Sequence, residues 1–280
     1  MLSFLAVGVT PAVAFAAKPT VQGASRAPKP TRIVEMVGYD ISYPQCGVKL
    51  PTDHYFGIVG VNGGTAASTN PCLVSQLNWA NKARTGSSQP KVQLYVNTAN
   101  PAQDSAYNWN NWPTTSTSNN PYGECEGTKT NSSACSWQYG WNRSLETEAY
   151  FASEVKKTGL SSFSTGDYVW WLDVETMNSW QSGSAEALAR NVAAIEGFAA
   201  YYLSKGSEVG IYSTGYQWGV ITGNSFSQDS NLLGLANWLA GSLSLNGAKS
   251  KCSAEPLTPG GSVSLSQYVV KNIDKNHSCF

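Results

Sequence analysis

The sequence predicts an α/β fold, an irregular TIM-like (β/α) barrel held by disulfides, and three observations predict it. Short apolar runs of strand length recur along the chain with helix-patterned segments between several of them, which argues for βαβ units and a parallel sheet, closed or open. One run, Tyr168-Val-Trp-Trp-Leu-Asp-Val-Glu-Thr176, is too apolar to have one wet face, as expected of a strand covered on both sides. Polar groups recur where the runs end, at Asp40, Asn62, Asn97, Asp173, Glu175, Ser213 and Gln267, and a closed barrel brings such ends to one mouth. The closed form is favoured for that reason. A chain of 280 residues is also of the size that such barrels take as one domain.

Taken in order, residues 1–17 hold an apolar run ending Ala14-Phe-Ala16-Ala17, a small-x-small cleavage pattern, and read as a signal peptide despite lacking a Lys or Arg before the run. The run is short and interrupted by Gly8 and Pro11, so it is not a membrane span. Residues 18–33 contain Pro, Ala and Lys without periodicity and read as a flexible leader. The barrel domain is then 34–280. Its strands are expected at 34–41, 56–61, 92–97, 168–174, 208–213, 236–240 and 263–269. Helices are expected at 73–83, 141–157 with Gly159 as a stop, 185–203 and, in brief, 217–221. Residues 100–136 break the rhythm as a long tract of Asn, Ser, Thr, Trp and Pro. Such a loop is often functional, with Trp109, Trp112 and Trp137 as ligand platforms, or else it merely covers the barrel.

Lys plus Arg and Asp plus Glu both number 18, which leaves no electrostatic footprint for nucleic acid or an anionic membrane. Only 13% of residues are charged, whereas 10 Trp and 14 Tyr supply aromatic faces, a surface suited to uncharged hydroxylated ligands. The six cysteines, Cys46, Cys72, Cys125, Cys135, Cys252 and Cys279, are even in number and lack metal spacing, so they read as disulfides of an exported protein. Six allow 15 pairings, and bridges between sequence neighbours are favoured.

Several chemistries are excluded. There is no G-x-S-x-G elbow and only His54 and His277 to serve a triad; no ligand cluster remains for a metal; Gly60-Val-Asn-Gly-Gly64 is not a dinucleotide fingerprint. No cofactor is called for. Carboxylates remain. Alternation along the central strand puts Trp171, Asp173 and Glu175 on one face, with the acids' Cα atoms about 6.6 Å apart at a strand's rise. The plainer reading, that these acids only lead into a helix capped near Thr176, Asn178 or Ser184, is the weaker one on so apolar a strand. An acid pair with aromatic walls is the equipment of glycoside hydrolysis, with Glu175 kept protonated by Asp173 and Trp171.

Five islands, Gly38-Tyr-Asp-Ile-Ser42, Trp171-Leu-Asp-Val-Glu175, Gly210-Ile-Tyr-Ser-Thr214, Trp238-Leu-Ala240 and Ser266-Gln-Tyr268, resemble in order and spacing the family 25 glycoside hydrolases, the Chalaropsis-type lysozymes. The chain looks closer still to the secreted actinobacterial glycoside-hydrolase-like domains related to them. The resemblance implies a modified (β/α) barrel that cleaves the bond between N-acetylmuramic acid and N-acetylglucosamine in peptidoglycan. Carried over, it makes Glu175 the general acid and Asp173 the group that stabilises charge or orients the acetamido substituent, with Asp40 completing the cluster. Tyr95, Asn97, Trp171, Tyr212, Trp238 and Gln267 are the candidate substrate-binding residues. The expected partner is a wall polysaccharide, met by a secreted monomer. The 100–136 tract and the loop at Cys46 depart from the lysozyme pattern where substrate subsites form, so the alternative is a carbohydrate-binding module on the same barrel.

Overall fold

A computed structural model describes residues 35–101, 111–128, 130–270 and 273–280. The signal peptide and leader expected at 1–17 and 18–33 lie outside the described residues, as does Trp109. Eight strands close a barrel in sequence order: β1 (Val37–Ile41), β2 (Phe56–Gly60), β3 (Val92–Asn97), β4 (Val169–Asp173), β5 (Glu208–Ser213), β6 (Ala236–Ser242), β7 (Ser262–Val270) and β8 (Ile273–Ser278). Helices α1 (Leu73–Asn81), α2 (Ser133–Val155), α3 (Ala185–Ser204), α4 (Gly215–Thr222) and α5 (Leu245–Lys251) cross between successive strands from β2 onward. Neighbours from β1 to β7 pair in parallel, as βαβ crossovers require.

The last strand corrects the expectation of seven strands in a parallel sheet. β8 runs antiparallel to both β7 and β1, and it closes the ring. Its sequence, Ile-Asp-Lys-Asn-His-Ser, has no apolar alternation to announce it. Pairing on both sides supplies what the side chains do not.

Two packed layers follow from the alternation of strand side chains. Inside the barrel sit Phe56, Ile58, Val169, Trp171, Trp238 and Leu265. Bulk there is matched by glycine across the ladder: a Cβ at Gly210, the partner of Trp171, would lie 2.3 Å from the indole, and one at Gly38 would lie 2.1 Å from Phe56. Outside, Trp170, Leu172 and Val174 pack with Phe151, Ile195, Phe198 and Tyr202 under the helices.

The second correction concerns α2, which starts eight residues before the expected 141. Ser132 accepts the backbone N–H of Cys135 as its N-cap, and Cys135 is bridged to Cys125. The end of the 100–136 tract is therefore the first turn of a helix. Trp137 is consequently buried on α2, stacked on Trp141, while Trp112 is buried on Tyr139 and donates to the Thr130 carbonyl. Neither is a platform at the mouth. The other bridges are Cys46–Cys72 and Cys252–Cys279, so all three join sequence neighbours. Among the described residues no helix is long and apolar enough to cross a membrane.

Candidate active site

At the carboxyl ends of the strands a cavity of about 130 Å³ is lined by Asp40, Tyr95, Asp173, Glu175, Tyr212, Trp238, Gln267 and Asp274. Four carboxylates meet there, and among the described residues no basic side chain lines it. Strand geometry explains how: Asp40 on β1 and Asp173 at the end of β4 face inward, and the ladder continues one step past β4, where the Val174 N–H donates to the Tyr212 carbonyl at 2.9 Å. Glu175 therefore returns to the inner face beside Asp173.

Each acid is held differently. Asp40 accepts Gln267 Nε2 at 3.1 Å and Asn276 Nδ2 at 2.7 Å. The same Gln267 accepts the Tyr212 hydroxyl at 2.8 Å, and Asn276 accepts Trp238 Nε1 at 2.8 Å. A continuous hydrogen-bonded line from Tyr212 to Trp238 thus runs through Asp40. Asp173 Oδ2 accepts Asn97 Nδ2 at 2.7 Å, whereas its buried Oδ1 has no hydrogen-bond partner among the described residues. Thr98 Oγ1 also donates to the Asp173 carbonyl at 2.6 Å. Glu175 is half-buried and takes a hydrogen bond from Gln217, whose Oε1 in turn accepts the Thr176 N–H at 2.8 Å.

Burial pushes all four carboxyls up, and repulsion adds to it at Asp40, Asp173 and Glu175. Asp40 rises to about 7, by burial first and then by the charge of Asp274, against the pull of Asn276 and Gln267. Asp173 stands well above the carboxylate range through burial, then through Glu175 and Asp40. Glu175 is raised by burial and by Asp274, with Gln217 opposing, and Asp274 by burial. The charge expected to raise Glu175 is that of Asp173; the charge that does so is that of Asp274. Trp171 lies deeper, 2% exposed and donating to Gln93 Oε1 at 2.7 Å, so as a ligand-binding residue it is corrected to barrel core.

Of the other residues read from the sequence, Tyr95, Tyr212, Trp238 and Gln267 line the cavity. Asn97 does not, and it positions Asp173 instead. Asn62 and Ser213 are braces behind the wall: Asn62 Oδ1 accepts the Asn97 N–H, and Ser213 Oγ donates to the Val174 carbonyl. Asp274 and Asn276 were missed because the strand that carries them has no apolar pattern. The only signal available was an Asp and an Asn two apart, which alternation places on one face. A larger cavity of about 290 Å³ is lined by loop residues after β2, β3 and β4, among them Ala66, Ala99 and Met177, and by Tyr139 of α2, with no carboxylate among the described residues that line it. The carboxylates of the described residues gather in the smaller one.

Among known proteins, a family described as lysozyme-like protein 1 matches residues 122–244, which include the islands at 171–175, 210–214 and 238–240. No curated protein sequence matches. Of solved structures, a muramidase from Trichobolus zukalii is 20% identical with a TM-score of 0.46, over 87% of this chain and 93% of its own. The modular Cpl-1 endolysin in complex with a peptidoglycan analogue is 15% identical with a TM-score of 0.47, over 88% of this chain and 55% of its own. A family 25 glycosyl hydrolase from Bacillus anthracis is 13% identical with a TM-score of 0.42, over 87% and 88%. Over β4 to β6 and the helices around them, then, this chain is similar to the lysozyme-like protein 1 family.

Proposed function

We propose that this is an exported glycoside hydrolase that cuts a cell-wall polysaccharide, peptidoglycan at its N-acetylmuramic acid linkage, with residues 1–17 as its signal, 18–33 as a leader and 34–280 as the catalytic barrel. The observation that carries the reading is the gathering of Asp40, Asp173, Glu175 and Asp274 in one cleft walled by Tyr95, Tyr212 and Trp238. The match to a lysozyme-like family across β4–β6 supports the same reaction class. Three disulfides fit an oxidising compartment.

Glu175 has the properties of the general acid. Its raised pKa keeps a proton available, and its partial exposure lets it reach a glycosidic oxygen. Asp173 has one oxygen fixed by Asn97 and the other free to accept a substrate N–H, which suits orientation of an acetamido group. The acetamido oxygen then attacks the anomeric carbon as Glu175 protonates the departing oxygen, and water activated by the Glu175 carboxylate opens the ring so formed. Asp40, raised to about 7 and locked between Gln267 and Asn276, is largely protonated below neutral pH, so there it fixes the cleft wall through those hydrogen bonds and not through its charge. Activity should fall as pH rises through the elevated pKa of Glu175.

Reducing-end release from purified peptidoglycan tests the proposal. The wild type should release reducing ends and Glu175→Gln should lose about 10²- to 10⁴-fold in kcat, the usual contribution of a general acid. Binding without release by either protein would leave a wall-binding module.

A further inference from the structure

The three most exposed large apolar side chains among the described residues stand in one sector of the barrel mouth, and the carboxylate chemistry uses none of them. Met177 is 93%, Leu243 87% and Tyr216 80% exposed. They follow three consecutive strands: Met177 after β4, Tyr216 in the first turn of α4 after β5, and Leu243 after β6. Their loops are joined laterally. The Thr176 N–H donates to Gln217 Oε1 at 2.8 Å, and a Cβ at Gly241 would meet Thr214 Cγ2 at 3.4 Å. Tyr216 adjoins the cleft through its neighbour Gln217, which hydrogen-bonds Glu175, while Met177, two residues past Glu175, lines the larger cavity.

Its segments are uncharged, and the cation beside them, Lys251, would lie 3.7 Å from a Cβ at Gly241 and donates to the Ala240 carbonyl at 2.6 Å. The segments are Thr176-Met-Asn178, Thr214-Gly-Tyr-Gln217 and Gly241-Ser-Leu-Ser-Leu-Asn246, apolar side chains spaced by hydroxyls and amides. With that Lys251 engaged by backbone, an acidic peptide or an anionic lipid finds no cluster of cations in these segments. A sugar chain fits, because pyranose rings present apolar C–H faces to an aromatic ring and hydroxyls to neighbouring polar groups. Exposed apolar surface concentrated at the rim of a ligand cleft is also the usual mark of a contact site.

Resting on the function proposed above, we infer that Tyr216, flanked by the loops that carry Met177 and Leu243, is an accessory subsite that stacks a sugar of the polysaccharide outside the carboxylate cleft. The protein therefore holds long strands more tightly than short ones. Titration calorimetry in the Glu175→Gln background, where strands stay intact, reads this directly. The probes are peptide-free peptidoglycan glycan strands and the tetrasaccharide prepared from them. Adding Tyr216→Ala should weaken strand binding about tenfold, or about 1.4 kcal/mol, leave the tetrasaccharide within about twofold, and be rescued by Tyr216→Trp. Equal affinities with and without Tyr216, equal losses on both probes, or no strand binding at all would overturn the inference. So would sedimentation in which Tyr216→Ala dissolves a self-associated form while glycan affinity is unchanged, since the strip would then join two copies. Hydrolysis is read separately. A wild type that releases no reducing ends while Tyr216→Ala still weakens strand binding defeats the hydrolase and keeps the subsite.

Discussion

Asp173 concentrates the conflict between stability and chemistry in one side chain. It is 5% exposed, repelled by Glu175 and Asp40, and one of its oxygens has no hydrogen-bond partner among the described residues. A carboxyl whose folded-state pKa stands above its unfolded value stabilises the fold while protonated, and that stability is lost as pH rises through the folded value. Asp173→Asn keeps an oxygen for Asn97 and removes the charge. Its thermal midpoint should exceed the wild type's at pH 8, with a gain of about 1–3 kcal/mol, and the gap should close as pH falls below the ordinary aspartate range near 4. Glycan cleavage should be severely reduced in the same variant. Acid placement was legible in the sequence at this scale, since a two-residue spacing on a strand gives one face whatever the fold. The supports were not. Asn276 and Gln267 act on Asp40 across 236 and 227 positions, and only the closed ring brings them together.

At the level of elements, the α2–α3 pair is the closest helix crossing and depends on two glycines. A Cβ at Gly197 would lie 2.0 Å from the Trp137 carbonyl oxygen, and one at Gly140 would lie 2.1 Å from that of Ala194. Backbone on the other side cannot move aside cheaply. Gly197→Ala should therefore cost about 1–3 kcal/mol in a urea unfolding series, although in an isolated helix the same change would stabilise. The periodicity that revealed α3 revealed only the second half of α2. Its first turns read as loop because Cys, Ser, Gln and Gly dilute the apolar stripe, and the N-cap at Ser132 was the overlooked signal. The short α5, Leu-Asn-Gly-Ala-Lys-Ser-Lys, offers too few turns for a pattern to emerge.

For the molecule as a whole, closure depends on its least conspicuous strand. β8 bridges β7 and β1, delivers Asp274 and Asn276 to the cleft, and is tied at its end by Cys279 to Cys252 beyond α5. Replacing both cysteines with serine should remove about 3 kcal/mol for a loop of this length. That corresponds to a fall of about 6–12 °C in the calorimetric midpoint for a domain of this size. A midpoint unchanged by the double replacement would mean that strand pairing alone holds the closure.

The amino-acid sequence by itself determined the barrel, its seven hydrophobic strands, the pairing of cysteines close along the chain, and the shared face of Asp173 and Glu175. All of these follow from local period, composition or short separations. Tertiary structure alone decided that an eighth, polar strand completes the ring, that Trp112, Trp137 and Trp171 are core and not walls, and that a fourth acid joins the cleft. Burial and long-range pairing are properties of the assembled ring, and a polar strand gains its stability from two neighbours that its own side chains do not specify.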